Sequence, residues 1–157
     1  MARSMDKPGS DRKAGSLVGA VPLLLDVPAD TQTAAKLRVP LIVLFSLSTC
    51  GFCHEVRRNY LASLLRESGD GSVIREVVSD EPHKAVWLGG EVLTHERLAA
   101  RSGIKFYPTV HFFDAQLQPL TEPLLGANAA GFYNAYLIQR IELATQILRR
   151  PPPRAAS

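Results

Sequence analysis

The amino-acid sequence predicts a single α/β domain in which helices flank a central β-sheet. The chain has 157 residues, of which 46% are hydrophobic and 21% charged, so it can bury a full core without a disulfide framework or a structural metal. Residues 41–45 form a continuous apolar run without alternation, which is typical of a strand buried on both faces. Strand-like and helix-like segments follow in the order β-α-β-α-β, a small helix, then β-β-α.

The first half of the chain contains three predicted strands and two predicted helices. Residues 21–27 form a short apolar strand, and Asp30 is the predicted N-cap of a helix that ends near Arg38. After the 41–45 strand a second helix begins at Cys50 and ends near the Ser68-Gly69 pair. Its apolar positions recur at helical spacing; they are Cys53, Val56, Tyr60 and Leu64. The third strand covers residues 72–79.

The second half begins with a hairpin around Gly89-Gly90 and a short helix capped by Thr94. Residues 109–113 form the next strand, and residues 120–125 its hairpin partner at the sheet edge, where prolines are tolerated. Asn128 is the predicted N-cap of the last helix. The apolar stripe of this helix consists of Tyr133, Leu137, Ile141, Ala144 and Leu148.

The two chain ends carry the positive charge of the protein. Residues 1–14 contribute a net charge of +2 and residues 149–157 one of +3, which leaves −2 on residues 15–148. Neither end has enough apolar residues to form a core, so both are predicted to be disordered tails around one domain at 15–148. Although the pI is about 9.1, a slightly acidic domain argues against nucleic acid as a partner.

Membrane and export signals are weak in this sequence. No apolar run approaches the roughly 18 to 20 residues of a membrane span. Residues 15–25 are the nearest candidate for a signal peptide, but they contain Pro22 and lack a small-x-small cleavage site close behind.

Cys50-Gly51-Phe52-Cys53 places two cysteines where a buried strand gives way to a helix. Unpaired N–H groups and the helix dipole stabilise an anion at this end of a helix, so the Cys50 thiol should ionise more easily than a free thiol. Cys53 lies one helical turn further on, close enough to form a disulfide with Cys50 and so to resolve a mixed disulfide. Gly51 permits a tight turn and leaves room for a partner backbone. The pattern predicts thiol-disulfide exchange without an external cofactor.

A second motif, Tyr107-Pro108-Thr109, opens a later strand, and with the C-x-x-C pair it makes residues 21–148 resemble the thioredoxin superfamily. The resemblance implies a thioredoxin fold, a mixed sheet flanked by helices. It also implies a cis peptide bond before Pro108, which together with Tyr107 and Thr109 would shape a groove for a substrate peptide. Gly126, before the last helix, fits the same pattern.

Within the superfamily the chain is most similar to secreted bacterial thioredoxin-like proteins of the SoxW type and to disulfide-isomerase-like catalytic domains. These proteins share the Cys-Gly-aromatic-Cys-His motif and an insertion like residues 84–101. The similarity implies protein thiol or disulfide substrates, an upstream redox partner and a monomer. It favours the periplasm over the cytoplasm.

Three positions depart from classical thioredoxin. Leu44 occupies the position of a buried aspartate, Thr49 that of a tryptophan, and Phe52 that of the proline between the cysteines. These departures argue against a general cytosolic disulfide reductase and for a more oxidising or more substrate-restricted protein.

Other interpretations of the cysteines stay open at this point. Cys50 and Cys53 could simply be buried apolar thiols, and with His54 they also satisfy the C-x-x-C-H signature of covalent haem attachment. A zinc site would need a fourth ligand, which no second C-x-x-C supplies. A thioredoxin-like domain could also serve as a binding module without turnover. Otherwise His54, with Thr49, Gly51 and Phe52, supports the reactive pair.

The remaining distinctive residues are interpreted as structural. His83, His95 and His111 have no obvious partner in the sequence and are expected to be core or surface histidines. Arg57 and Arg58 are expected to form a solvated helix face, although their charges would add positive potential near the thiols.

Overall fold

The computed structural model, which describes residues 20–126 and 132–151, has a mixed β-sheet at its centre. The strands are β1 (Leu41–Ser46), β2 (Val73–Val78), β3 (Lys84–Val86), β4 (Val92–Thr94), β5 (Thr109–Phe113) and β6 (Leu124–Leu125). The main sheet has the order β2-β1-β5-β6, while β3 and β4 form a separate hairpin. β1 runs parallel to β2 and antiparallel to β5. Every residue of β1 is buried, as its non-alternating apolar sequence predicts.

Five α-helices flank this sheet in the described residues. They are α1 (Val27–Leu37), α2 (Gly51–Glu55), α3 (Ala62–Ser68), α4 (His95–Arg101) and α5 (Tyr133–Arg149). A π-helical segment, Val56–Leu61, joins α2 to α3, so that one continuous helix follows Cys50. Short 3₁₀ turns cover Gly69–Gly71 and Leu88–Gly90. None of the described helices is long and apolar enough to cross a bilayer.

The side chains of alternate residues of β1 pack into two hydrophobic cores, one on each face of the sheet. Val43 and Phe45 pack with residues of α1 and α4. Ile42 and Leu44 pack on the other face with residues of the π-helical segment and of α5. The predicted α/β fold with a mixed sheet between helices is therefore confirmed, and the helix that carries the cysteines packs on the second face.

The first helix begins earlier than the sequence predicts. The Asp26 carboxylate caps it by accepting a hydrogen bond from the N–H of Ala29 at 3.0 Å, and Pro28 fits because the first turn needs no N–H donor there. Asp30, the predicted cap, instead forms an ion pair with Arg75. Residues 21–26 form only isolated bridges, such as Leu23 with Glu76, rather than the continuous strand predicted over 21–27.

The helix caps and hairpins of the second half follow the sequence signals more closely. The Thr94 hydroxyl caps α4 by accepting from the N–H of Arg97 at 3.2 Å, and β3 pairs with β4 around Gly89-Gly90. β6 is shorter than the predicted partner strand at 120–125 and pairs with β5 only at its own two residues, Leu124–Leu125.

The chain ends lie largely outside the described residues. The structure does not describe residues 1–19, 127–131 and 152–157. Asn128, the predicted cap of the last helix, is therefore outside the described residues. The 1–14 and 149–157 tails therefore stay predictions. Arg149 is the last residue of α5, and its guanidinium donates hydrogen bonds to the carbonyl oxygens of Arg38 and Leu37.

Candidate active site

Cys50 and Cys53 form a disulfide at the start of the helix that follows β1. Their Cα atoms are 5.2 Å apart. Cys50 is the N-cap of α2, and its sulfur accepts a hydrogen bond from the N–H of Cys53 at 3.1 Å. Cys53 is fully buried, whereas Cys50 is partly exposed. Of the two cysteines, Cys50 is therefore the one that another protein can reach, and the same N–H would stabilise its thiolate after reduction.

A carboxylate from the end of β2 fixes the loop that carries Cys50. Asp80 accepts hydrogen bonds from the N–H of Ser48 at 2.8 Å and from its hydroxyl at 2.7 Å. These two bonds, the hydroxyl bond foremost, hold the pKa of the Asp80 carboxyl below its usual value. The N–H of Cys50 donates to the carbonyl of Leu47 at 3.2 Å. The loop is thus anchored at two points before the helix begins.

The residues around the disulfide leave it accessible. A Cβ added to Gly51 would meet no atom within 4 Å, so this side of the motif is open space. Phe52 is 60% exposed, and Thr49 is also exposed. His54 lies on the exposed side of α2, and its Nδ1 accepts a hydrogen bond from Nη1 of Arg57 at 3.3 Å.

The proline loop lies at the same edge of the sheet as the cysteines. Phe45 at the end of β1 pairs with Thr109 at the start of the antiparallel β5, so the segments after Phe45 and before Thr109 emerge side by side. The Tyr107–Pro108 peptide bond is cis. Pro108 is buried, and its carbonyl accepts a hydrogen bond from the N–H of Gly126 at 2.7 Å. Sheet pairing therefore brings both sequence motifs to one edge.

Tyr107 presents backbone groups at this edge. Its side chain is partly buried, and neither its N–H nor its C=O has a backbone partner within residues 20–126 and 132–151. Thr109 is buried and its hydroxyl donates to the carbonyl of Phe106 at 2.6 Å, which holds the loop in shape. Phe106 and Leu125 are 62% and 56% exposed, and Leu125 pairs with Thr109 in the sheet. Backbone groups that have no backbone partner in the described part of the chain thus lie next to exposed apolar side chains.

A buried carboxylate, Glu76, lies on the strand next to β1. It is 3% exposed and is the register partner of Leu44. Leu44 occupies the position where the resemblance to thioredoxin leads one to expect a buried acid. Arg57 pairs with it through two hydrogen bonds, so the prediction that Arg57 lies on a solvated face is wrong, while Arg58 is exposed as predicted. Glu76 was not singled out from the sequence, although the charged Arg75-Glu76 pair within a strand of valine and isoleucine was a signal for it.

The histidines outside the motif have structural contacts. His95 is fully buried, accepts from the N–H of Val78 through Nδ1 and donates to the carbonyl of Leu24 through Nε2. His111 packs against Phe45 and stacks on Phe113. Burial lowers the pKa of both imidazoles. Within the part of the chain that the structure describes, no three His, Cys, Asp or Glu side chains cluster as metal ligands would.

Comparisons with known proteins agree with this geometry. A thioredoxin-like domain family matches residues 27–137, which is most of the chain, and the protein belongs to that family. No curated protein matches the sequence.

Solved thioredoxin structures share the fold at low sequence identity. Mitochondrial thioredoxin 3 from Saccharomyces cerevisiae, in its oxidised form, is 17% identical with a TM-score of 0.52, covering 78% of this chain and 93% of its own. Fasciola hepatica thioredoxin is 17% identical with a TM-score of 0.54, over 77% and 96%. A poplar thioredoxin h mutant is 18% identical with a TM-score of 0.55, over 86% and 90%. At these identities the likeness concerns the fold alone.

Proposed function

We propose that this protein is a thiol-disulfide oxidoreductase that acts on protein disulfides and dithiols. One observation carries the proposal: a C-x-x-C disulfide whose first cysteine is partly exposed at a helix N-terminus while its second is fully buried. An enzyme of this class needs an exposed thiolate to attack and a protected thiol to resolve.

The reaction follows from the different burial of the two sulfurs. In the reduced protein the Cys50 thiolate attacks a sulfur of a substrate disulfide, and the other substrate sulfur leaves as a thiolate and takes up a proton. The Cys53 thiol then loses its proton, its sulfur attacks Cys50, and the bond between Cys50 and the substrate breaks. Two electrons pass from the dithiol to the substrate, and the Cys50–Cys53 disulfide is formed. The reverse sequence oxidises a substrate dithiol.

The edge around Tyr107 supports an extended protein segment as the substrate. The N–H and C=O of Tyr107, which have no backbone partner among the described residues, are the groups that an added strand uses for pairing. Phe52, Phe106 and Leu125 offer apolar contacts, which would favour apolar residues near the substrate cysteine.

The test is the reduction of insulin with dithiothreitol as the electron source. We expect wild type to accelerate the reaction, Cys50→Ser to abolish the acceleration, and Cys53→Ser to accumulate a mixed disulfide because the resolving thiol is absent. The matched control is Thr33→Ala, which removes an exposed hydroxyl from α1, on the other face of the sheet, and keeps both thiols.

Two outcomes would point to other functions. If wild type and Cys50→Ser reduce insulin at the same rate, the oxidoreductase proposal is wrong and a binding module without turnover takes its place. If the purified protein shows a Soret absorbance band that survives denaturation, Cys50, Cys53 and His54 hold a haem instead.

A further inference from the structure

Arg57 and Glu76 form an ion pair between β2 and the helix that carries the cysteines. Nε of Arg57 donates to Oε1 at 2.8 Å and Nη2 donates to Oε2 at 2.6 Å, the two-pronged geometry of a strong charge pair. The Ser46 hydroxyl donates to the same carboxylate. The side chain of Glu76 is 4% exposed and that of Arg57 20%. Charges in such a site act over longer distances than charges in water.

This pair adjoins the C-x-x-C motif from two directions. Arg57 follows the fully buried Cys53 by four residues in the same continuous helix, a spacing that places side chains on one face. Ser46 is the last residue of β1, immediately before the loop to Cys50. Arg57 also donates to Nδ1 of His54, the residue after Cys53. The contacts run from Glu76 through Arg57 to the first turn of the active-site helix.

We propose that the Arg57–Glu76 pair sets the acidity and the reduction potential of the Cys50–Cys53 thiols. A guanidinium near the thiols stabilises a thiolate, and a carboxylate bound to that guanidinium cancels most of its charge. Arg57 therefore promotes ionisation while Glu76 restrains it. Both are positioning residues, because they act on the sulfurs through the local field and do not touch the substrate. The inference rests on the proposed function.

Several other charged groups lie near the Arg57–Glu76 pair. His54, Glu55 and Arg58 lie on the same helix, and Asp80 binds the loop before Cys50. Glu81, His83 and the fully buried His95 lie beyond β2; burial lowers the pKa of the His95 imidazole, and the negative charge of Glu76 opposes that effect. Because removing the Arg57 or the Glu76 charge leaves all of these groups unchanged, the difference between those two variants reports the pair itself.

The experiment uses two variants that remove one charge each. Glu76→Gln leaves Arg57 uncompensated, so the Cys50 thiol pKa should fall and the reduced form should gain stability. Arg57→Met leaves Glu76 uncompensated, so the thiol pKa should rise and the oxidised form should gain stability. We measure thiolate absorbance against pH, and the dithiol–disulfide equilibrium in glutathione buffers. We expect about a tenfold change in each equilibrium constant, equivalent to about 30 mV, in opposite directions.

Opposite signs separate an electrostatic role from a structural one, since a loosened helix shifts both variants the same way. Arg58→Met and Glu55→Gln remove one charge each from exposed positions of the same helix, and we expect them to match wild type. Arg57→Lys keeps the charge and should shift the equilibrium less than Arg57→Met. Shifts of the same sign, or no larger than those of the controls, overturn the proposal.

The design also covers a variant that does not fold. Circular dichroism shows whether each variant folds. If Glu76→Gln or Arg57→Met does not fold, the shift in thiol pKa and reduction equilibrium of the other variant, compared with that of its control, decides the role of the pair. Both measurements observe the two cysteines directly without a protein substrate. If wild type does not accelerate insulin reduction, the proposed function is wrong. The shifts in thiol pKa and reduction equilibrium would still decide the role of the Arg57–Glu76 pair.

Discussion

Replacing Leu44 by aspartate places a carboxylate where the resemblance to classical thioredoxin leads one to expect it, and the structure predicts that this chain will not tolerate it. Leu44 is fully buried and packs with Val110, Phe112 and Leu137 in the core beneath the active-site helix. Losing this side chain alone costs about 2 to 3 kcal/mol of burial. The new carboxylate gains no free partner among these residues, because Glu76 next to it already occupies Arg57.

The pH dependence of this variant distinguishes the electrostatic cost from the packing cost. Because Arg57 is already paired with Glu76, no unpaired positive charge among these residues compensates the burial of the new carboxylate, and burial raises the pKa of a carboxyl by up to about 3 to 5 units. Folding then favours the protonated form, so the variant loses stability as the pH rises above about 4, the unfolded value. A shift of about 2 units corresponds to about 2.7 kcal/mol lost between pH 4 and pH 7.

Urea unfolding at several pH values measures this loss. Leu44→Asn is the matched control, since it has the same shape without a titrating group, and its cost relative to wild type should not change with pH. In the double variant Leu44→Asp with Glu76→Gln, Arg57 becomes free to pair with the new carboxylate, and the loss at neutral pH should shrink. A cost of Leu44→Asp that is the same at pH 4 and pH 7 would refute the reasoning.

Four further predictions concern stability. Asp26→Ala should cost about 1 kcal/mol in urea unfolding because it removes the cap of α1, while Asp26→Asn should retain most of that stability; equal losses in the two variants would contradict the cap. The lowered pKa of His95 means that the unfolded state binds more protons below about pH 6.5, so wild type should lose stability from pH 7 to pH 5 and His95→Gln should reduce that slope. His111→Gln should reduce it too, for the same reason. Tyr133→Phe should keep or raise the thermal midpoint, because the buried hydroxyl has no hydrogen-bond partner among the described residues; a fall of several degrees would show that this hydroxyl is bonded.

Local signals explain what the sequence could predict. The apolar run of β1, the helix after Cys50 and the capping hydroxyl of Thr94 each depend on neighbouring residues, so they are visible without the fold. The sequence predicts the cap of α1 at Asp30 rather than at Asp26, because Pro28 after an apolar run is typical of a break between elements, whereas proline is also tolerated in the first turn of a helix. The π-helical segment has the same apolar spacing as an α-helix and therefore left no separate signal.

Glu76 could not be assigned a role from the sequence, because its partners come together only through sheet register and helix packing. Arg57 is nineteen positions away and Ser46 thirty, and the strand order that places β2 beside β1 is a property of the whole sheet. Leu44 illustrates the same limit of sequence analysis. Its position in the sequence shows that the acid expected from the resemblance is absent there, but only the sheet register shows that its partner, Glu76, supplies a buried acid instead. In this chain two carboxylates at or beyond β2, Glu76 and Asp80, hold the elements on either side of Cys50. The strand beside the motif therefore carries the polar contacts, and β1 can remain wholly buried.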